Sequence, residues 1–238
     1  MKINDTDIRV FNARQSRITI GHHDWTLNTD WLPGAVLPMY GTSGISVKSI
    51  KVVINVKGTS RTSIINQRSE LLALLIGVVT LQLDNYEHKF CAVMKSHKET
   101  EMVKRRWHQL ELDFEGYEYG DDVTVETASA TAGLTVTNPG NIVSPCKVEI
   151  TPRAGAESIT LTGLCRDSFT GEDLPVIIDD LVIGEKVIID AMTGKVTQDG
   201  SLKDIDIWAL PSLKPGANTV SCNNSSMTVK VTVTPFYE

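Results

Sequence analysis

The sequence is sparing with cysteine, with long apolar runs and with positive charge. Its four cysteines, Cys91, Cys146, Cys165 and Cys222, stand far apart and form no Cys-x-x-Cys. That spacing excludes a zinc site built from close ligand pairs and a short, cysteine-dense disulfide scaffold. Four buried free thiols are expected instead. The longest apolar stretch, Leu71 to Val79, is interrupted by Gly77 and falls far short of the roughly 18–20 apolar residues of a membrane helix. Membrane insertion is therefore not expected. The opening Met1-Lys2-Ile3-Asn4-Asp5 lacks the basic-then-apolar pattern of a signal peptide, so synthesis and folding in the cytosol are expected. A formal net charge of −6 argues against nucleic acid as the main partner, because nucleic-acid binders present a basic face. No Gly-Lys-Ser/Thr phosphate loop, Gly-x-Ser-x-Gly elbow or His-Glu-x-x-His helix occurs. No catalytic, cofactor-binding or metal-ligating residue is assigned, and the chain is expected not to be an enzyme.

What is present describes a globular, mainly β chain. Apolar residues make up 41% and charged residues 22% of 238, enough to bury a core. The run Thr127-Ala128-Ser129-Ala130-Thr131-Ala132-Gly133 has no apolar periodicity and reads as a linker. It divides the chain into domains 1–130 and 131–238. The first then carries 15 Lys+Arg against 16 Asp+Glu and the second 8 against 13, so the acidity sits in the second. In the first domain, Ile50 to Val56 and Val78 to Leu83 read as strands. Leu110, Leu112 and Phe114 alternate with Glu111, Asp113 and Glu115 as a half-buried strand does. From Ile64 to Ile76 the apolar residues Ile64, Ile65, Leu71, Leu72 and Leu75 recur at helical spacing, with Ser63 as N-cap and Gly77 as stop. The second domain reads as an antiparallel β-sandwich. Its strands lie at 147–150, 158–162, 176–178, 186–189, 205–208, 217–221 and 227–234, separated by Asn-Pro-Gly-Asn, Thr-Gly, Asp-Gly and Lys-Pro-Gly turns.

The polar clusters read most simply as surface. His22-His23-Asp24 is expected in a loop, since adjacent strand residues point apart. Asp179-Asp180 and the pair Asp204/Asp206 could hold calcium or do acid–base work, but a solvated strand face suffices. Lys104-Arg105-Arg106-Trp107-His108 is the one basic cluster. Arg105 and Trp107 would share a face there, as nucleic-acid platforms do, but three charges in a near-neutral domain point instead to a rim contact with a neighbouring subunit or a solvated face. Trp25, Trp31 and Leu32 lie in the loop-rich stretch 21–44 and fit an interface better than a core. Trp208, between Ile207 and Ala209, is expected to pack inside; exposed, it would be the best residue for stacking on a sugar ring.

Two stretches together resemble the distal tail proteins of long-tailed bacteriophages and prophages. One runs from Asn66-Gln67-Arg68-Ser69-Glu70-Leu71-Leu72 to Glu115-Gly116-Tyr117-Glu118-Tyr119-Gly120. The other opens at Asn138-Pro139-Gly140-Asn141 and closes through Ile189-Asp190, Trp208 and Leu213-Lys214-Pro215-Gly216-Ala217-Asn218 to Pro235-Phe236-Tyr237. The resemblance implies a β-rich, ring-forming N-terminal domain with one α-helix and a galectin-like C-terminal sandwich. It implies a structural virion protein at the distal end of the tail, assembled in the cytoplasm of the bacterial host. Its partners would be itself in a ring, commonly a hexamer, the tail tube protein, the tail-tip hub protein, and receptor-binding or baseplate proteins. A host surface glycan is the alternative ligand of the sandwich.

Overall fold

The structure, a computed structural model, describes residues 1–22, 25–30, 39–45, 47–101, 106–167 and 170–238, with the backbone alone for 25–30 and 39–45. It is mainly β, with a single α-helix among the described residues. The chain forms two compact units that divide at Tyr119/Gly120. The boundary expected at 130/131 therefore lies inside the second unit. Val123–Thr127, just before the small-residue run, is a full strand of that unit's sheet, and Ala130 is buried in its core. Of the small residues in this run only Ala130 is buried, while Ala128, Thr131 and Ala132 are exposed. The division at Tyr119/Gly120, in which Glu238 falls with the first unit, sharpens the charge asymmetry: the first unit holds 15 Lys+Arg against 14 Asp+Glu, net +1, and residues 120–237 hold 8 against 15, net −7.

The first unit is built on one antiparallel sheet. Its strands are β1 (Lys2–Ile3), β2 (Thr6–Asp7), β3 (Ala13–Ile20), β6 (Lys48–Lys57), β7 (Val78–Gln82), β8 (Lys89–Glu101) and β9 (Trp107–Tyr119), in the spatial order β2-β1-β7-β8-β9-β6-β3. β4 (Trp25–Asp30) and β5 (Met39–Ile45) pair separately as an antiparallel ribbon. The alternation read at 110–115 extends along β9, where Leu110, Leu112 and Phe114 are buried and the acidic residues between them are half-exposed. Gly116 stands in the middle of the sheet, opposite Lys48 and Ala92. A Cβ there would lie 2.2 Å from the Cys91 carbonyl oxygen, so β8 and β9 can approach only over a glycine.

Helix α1 spans Arg61–Ala73, and Ser60 caps it: its hydroxyl accepts the Ser63 N–H at 3.1 Å. The helix thus starts three residues before Ile64, and the cap is Ser60 rather than Ser63. Apolar periodicity marks where a helix meets the core, and its first turn, Arg61-Thr62-Ser63, lies outside that contact. Ile64, Leu71 and Leu75 are buried as expected. Gly77, at φ +83°, turns the chain into β7 after the helix has already ended.

The second unit is an antiparallel sandwich. One sheet runs β10 (Val123–Thr127), β20 (Met227–Val233), β12 (Ser144–Pro152), β15 (Val187–Asp190), β16 (Lys195–Gln198), β17 (Ser201–Leu202), with β18 (Ser212–Leu213) also on β12. The other runs β11 (Leu134–Asn138), β19 (Gly216–Cys222), β13 (Ala156–Arg166), β14 (Asp173–Leu181). Val148, Ile150, Val187, Ile189, Val229 and Val231 from the first sheet share one core with Val136, Ile159, Leu161, Val176, Ile178 and Val220 from the second. Gly163, at φ +82°, sits in the irregular stretch of β13 between Leu161 and Cys165, 2.1 Å from the Thr219 carbonyl oxygen at the Cβ position. Asp199 and Gly200, both at positive φ, make the two-residue turn between β16 and β17, as the Asp-Gly pair predicts. Ile205–Trp208 does not form the expected strand; a single bridge joins Asp206 to Ile177.

Candidate interaction surfaces

The turn motifs that carried the resemblance are built around two buried asparagines. Asn138 and Gly216 are cross-strand partners, so both motifs lie at one end of the β11–β19 pair. The Asn138 side-chain amide donates to Ser144 Oγ and to the Leu213 carbonyl, both at 3.0 Å, while its Oδ1 accepts the Gly140 N–H at 2.9 Å. The Asn218 Oδ1 accepts the Lys214 N–H at 3.1 Å, and its amide donates to the carbonyls of Lys214 and Gly216 at 2.8 and 2.9 Å. Asn138 satisfies backbone groups of buried Gly140 and Leu213 that would otherwise lack partners, while Asn218 closes the exposed Lys214–Gly216 turn on itself. These positions shape loops.

Three carboxylates organise the charged residues. Glu118, on β9, is 4% exposed and holds Lys48, equally buried, at 2.7 Å. The same carboxylate accepts the Tyr86 hydroxyl at 3.1 Å and meets His88 Nδ1 at 2.6 Å. Burial alone would raise the Glu118 carboxyl, but the hydrogen bonds from Lys48, His88 and Tyr86 and the Lys48 charge outweigh it and hold it below its ordinary value. Burial, with Glu118 beside it, pushes the Tyr86 hydroxyl up to about 12. Glu99, on β8, joins Arg68 of α1 to His108 of β9 and so ties helix to sheet. In the second unit Glu149 is surrounded by Lys186 at 2.9 Å, Lys230 at 3.2 Å and Lys147 at 3.7 Å. The Lys186 hydrogen bond prevails over burial and lowers its carboxyl. Apart from Lys147, two residues from Glu149 on the same strand, the partners of Glu118 and Glu149 are brought from distant parts of the chain, a proximity with no signature in the sequence.

The residues proposed for an interface are placed unevenly. Trp31, Leu32 and Arg105 lie outside the described residues, as do His23 and Asp24; Trp25 lies on β4, where only backbone is described. His22 is exposed. Trp107 opens β9, opposite Lys57, and is 42% exposed. The Lys57 ammonium sits 5.4 Å from its ring centroid, a cation–π contact.

Trp208 is 82% exposed, which corrects the expectation that it packs inside. The segment 203–209, which makes a single bridge at Asp206 and bends at Trp208 and Ala209, buries alternate residues. Ile205, Ile207 and Ala209 pack against the core, so Asp204, Asp206 and Trp208 project outward. The core side was filled by its neighbours in this alternation, and the indole takes the other parity. The backbone is pinned by the Cys165 thiol donating to the Ala209 carbonyl at 2.9 Å. A shallow depression of about 490 Å³ lies along the segment, lined by Lys195, Val196, Leu202, Asp204, Ile205 and Ile207 among others. Asp179 and Asp180 are exposed at the end of β14.

Among the described residues no group of three or more His, Cys, Asp or Glu could hold a metal ion, and no helix is long and apolar enough to cross a membrane. All four cysteines are free; Cys146, Cys165 and Cys222 are buried and Cys91 is half-buried. Burial pushes the Cys146 thiol up to about 12 and Cys165 to about 11, which leaves them inert as nucleophiles.

No protein-family model matches the sequence, and no curated protein matches it. Solved structures do match the fold. The distal tail protein Dit (gp 19.1) of phage SPP1, described as a paradigm of the hub adsorption apparatus in phages infecting Gram-positive hosts, superposes with a TM-score of 0.75. That match has 14% identity and covers 99% of this chain and 98% of the other. A chain of the phage P2 baseplate, in its activated conformation with Ca, matches with a TM-score of 0.52 and 10% identity over 95% of this chain and 92% of that one; the form with Sr gives the same figures. The chain has the fold of a siphophage distal tail protein along essentially its whole length.

Proposed function

We propose that the chain is a structural protein of the distal end of a phage tail, where copies close into a ring, as a hexamer, between the tail tube protein and the tail-tip hub protein and anchor receptor-binding or baseplate proteins. The observation that carries this reading is the match of the whole fold, both units together, to a distal tail protein. A single β-sandwich is shared by many functions; a two-unit match over 99% of the chain is far more restrictive. The buried charged groups fit a scaffold: Glu118 with Lys48 and Glu149 with Lys186 and Lys230 tie neighbouring parts of each unit together. In this reading the first unit forms the ring through Trp25, Trp31, Leu32, Arg105 and Trp107, and the second is the galectin-like unit that projects outward. A ring needs a head-to-tail contact that closes by rotation. Light scattering over a concentration series tests it, with a hexamer of the 26.1 kDa chain expected. Polar replacement of Trp25, Trp31 and Leu32 should shift that species to monomer while leaving the fold intact. A monomer throughout, in the wild-type protein, refutes self-driven closure.

One observation favours a second reading for the second unit. Trp208 stands out from the surface with Asp204 and Asp206 beside it, an aromatic face with flanking acceptors of the kind that stacks on a pyranose ring. Binding of the protein to a glycan array, abolished by Trp208→Ala, is the expected result if the unit adheres to a host-surface glycan. Array binding unchanged by the substitution assigns the ligand to another surface, and an array without binding removes the reading.

A further inference from the structure

The first unit carries a cavity of about 320 Å³ lined by Arg9, Asn12, Ala13, Arg14, Asn55, Lys57 and Trp107. It is assembled across three adjacent strands: Arg14 faces Asn55 from β3 to β6, and Lys57 faces Trp107 from β6 to β9. The Lys57 N–H donates to the Asn12 carbonyl at 3.1 Å, which draws in the loop bearing Arg9 and Asn12. Three cations thus meet in one depression with no carboxylate among the described residues of its wall. Arg9 approaches Asp7 only at 3.8 Å, and Asp7 already accepts the Arg9 N–H. Arg14 and Lys57 make no salt bridge among the described residues. Other cations of this sheet, Lys51 with Asp113, Lys95 with Glu115 and Lys48 with Glu118, do sit beside carboxylates, though Arg17 and Lys98 have no salt bridge among the described residues.

The chemistry suited to this cavity is anionic. A nucleic-acid strand fits poorly. The half-exposed positions that continue from Trp107 along β9 are Gln109, Glu111, Asp113 and Glu115, which would repel a phosphate backbone, and Lys57 already occupies the Trp107 ring that a base would need. A protein carboxylate fits a site of this small extent. The chain itself supplies the complement: residues 120–237 are at net −7, and Asp179, Asp180, Asp204 and Asp206 are exposed there without a salt bridge among the described residues. The Ile177–Asp206 bridge lays the segment bearing Asp204 and Asp206 alongside β14, which bears the other pair.

We propose that the Arg9/Arg14/Lys57/Trp107 cavity of one copy receives carboxylates of the second unit of another copy, a head-to-tail contact between a cationic and an acidic surface of the same chain. It rests on the self-assembly reading and names one of its contacts. Zero-length carbodiimide coupling in an equal mixture of unlabelled and isotope-labelled chain tests it. Lys57 is expected in mixed-isotope cross-links to a carboxylate of residues 120–237. Arg14→Glu with Lys57→Glu, both exposed positions, should weaken association by about tenfold or more at low salt, as loss of complementary interface charge does. Adding Asp204→Lys and Asp206→Lys to that variant should restore part of it. Mixed cross-links that omit Lys57, or a hexamer that survives the double reversal, overturn the contact and leave the ring reading standing. A wild-type monomer that still yields the Lys57 cross-link keeps the contact and removes the ring. Binding of a short single-stranded oligonucleotide, lost on reversal of Arg14 and Lys57, would make the cavity a nucleic-acid site and refute the proposal.

Discussion

Replacing Glu118 by glutamine should damage the first unit more than any surface charge change. Lys48 and Glu118 are each 4% exposed, and their atoms meet at 2.7 Å. Glutamine keeps the shape and one acceptor oxygen, but it leaves the Lys48 ammonium buried without a counter-charge. It also takes the charged acceptor from Tyr86 and His88. Breaking a buried pair by removing one partner costs about 3–5 kcal/mol, against total stabilities of about 5–15 kcal/mol for ordinary domains. For a unit of this size that corresponds to a fall of roughly 10–20 °C in midpoint. Lys48→Met alone should cost a similar amount. The two together should cost clearly less than their sum, because no buried charge is then left alone. Differential scanning calorimetry of the four proteins closes the cycle, with the first unit's transition resolved from the second's, since a two-unit chain need not unfold in one step. A coupling energy below about 0.5 kcal/mol, the range of independent sites, would refute the claim that the pair acts as a buried unit.

The lowered carboxyls of Glu118, Glu99 and Glu149 set the acid limb. A folded-state value below the unfolded 4.5 means that their contribution is complete above about 4.5 and is lost as pH falls beneath it. Urea midpoints measured downward from neutrality should therefore fall in that window, and less steeply in Glu118→Gln. Ser60→Ala should cost about 1 kcal/mol as a lost cap, while Ser63→Ala should be close to neutral; equal effects would show that the cap is misplaced. Gly116→Ala drives a methyl into the Cys91 carbonyl and should cost about 1–3 kcal/mol or more, seen as loss of soluble protein or a lowered midpoint. Glu149→Gln, which loses charge-assisted bonds to partly exposed lysines, should destabilise only the second unit's transition, by about 1–3 kcal/mol.

The sequence by itself determined what depends on residues close together along the chain. The buried face of β9 was legible because Leu110, Leu112 and Phe114 alternate with acids. The body of α1 was legible from Ile64, Leu71 and Leu75, and the β16–β17 turn from Asp199-Gly200. Ordered turns and the wish to bury alternate residues are local, so they survive translation into a string. Tertiary structure decided what depends on which strands become neighbours. Val123–Thr127 belongs to the second unit because its partner is Val229–Val233, more than a hundred residues later, and no composition shift records a pairing at that distance. Glu118 found Lys48, and Glu149 found Lys186 and Lys230, only through sheet order. Trp208 went outward because Ile205 and Ile207 took the core-facing positions of a segment that is unpaired except at Asp206 and bends at Trp208. Arg9, Arg14, Lys57 and Trp107, scattered over nearly a hundred positions, share a cavity because β3, β6 and β9 lie side by side. Side chains can be placed on faces by period alone, but which faces meet is set by long-range pairing, and that is where the surfaces of this protein are made.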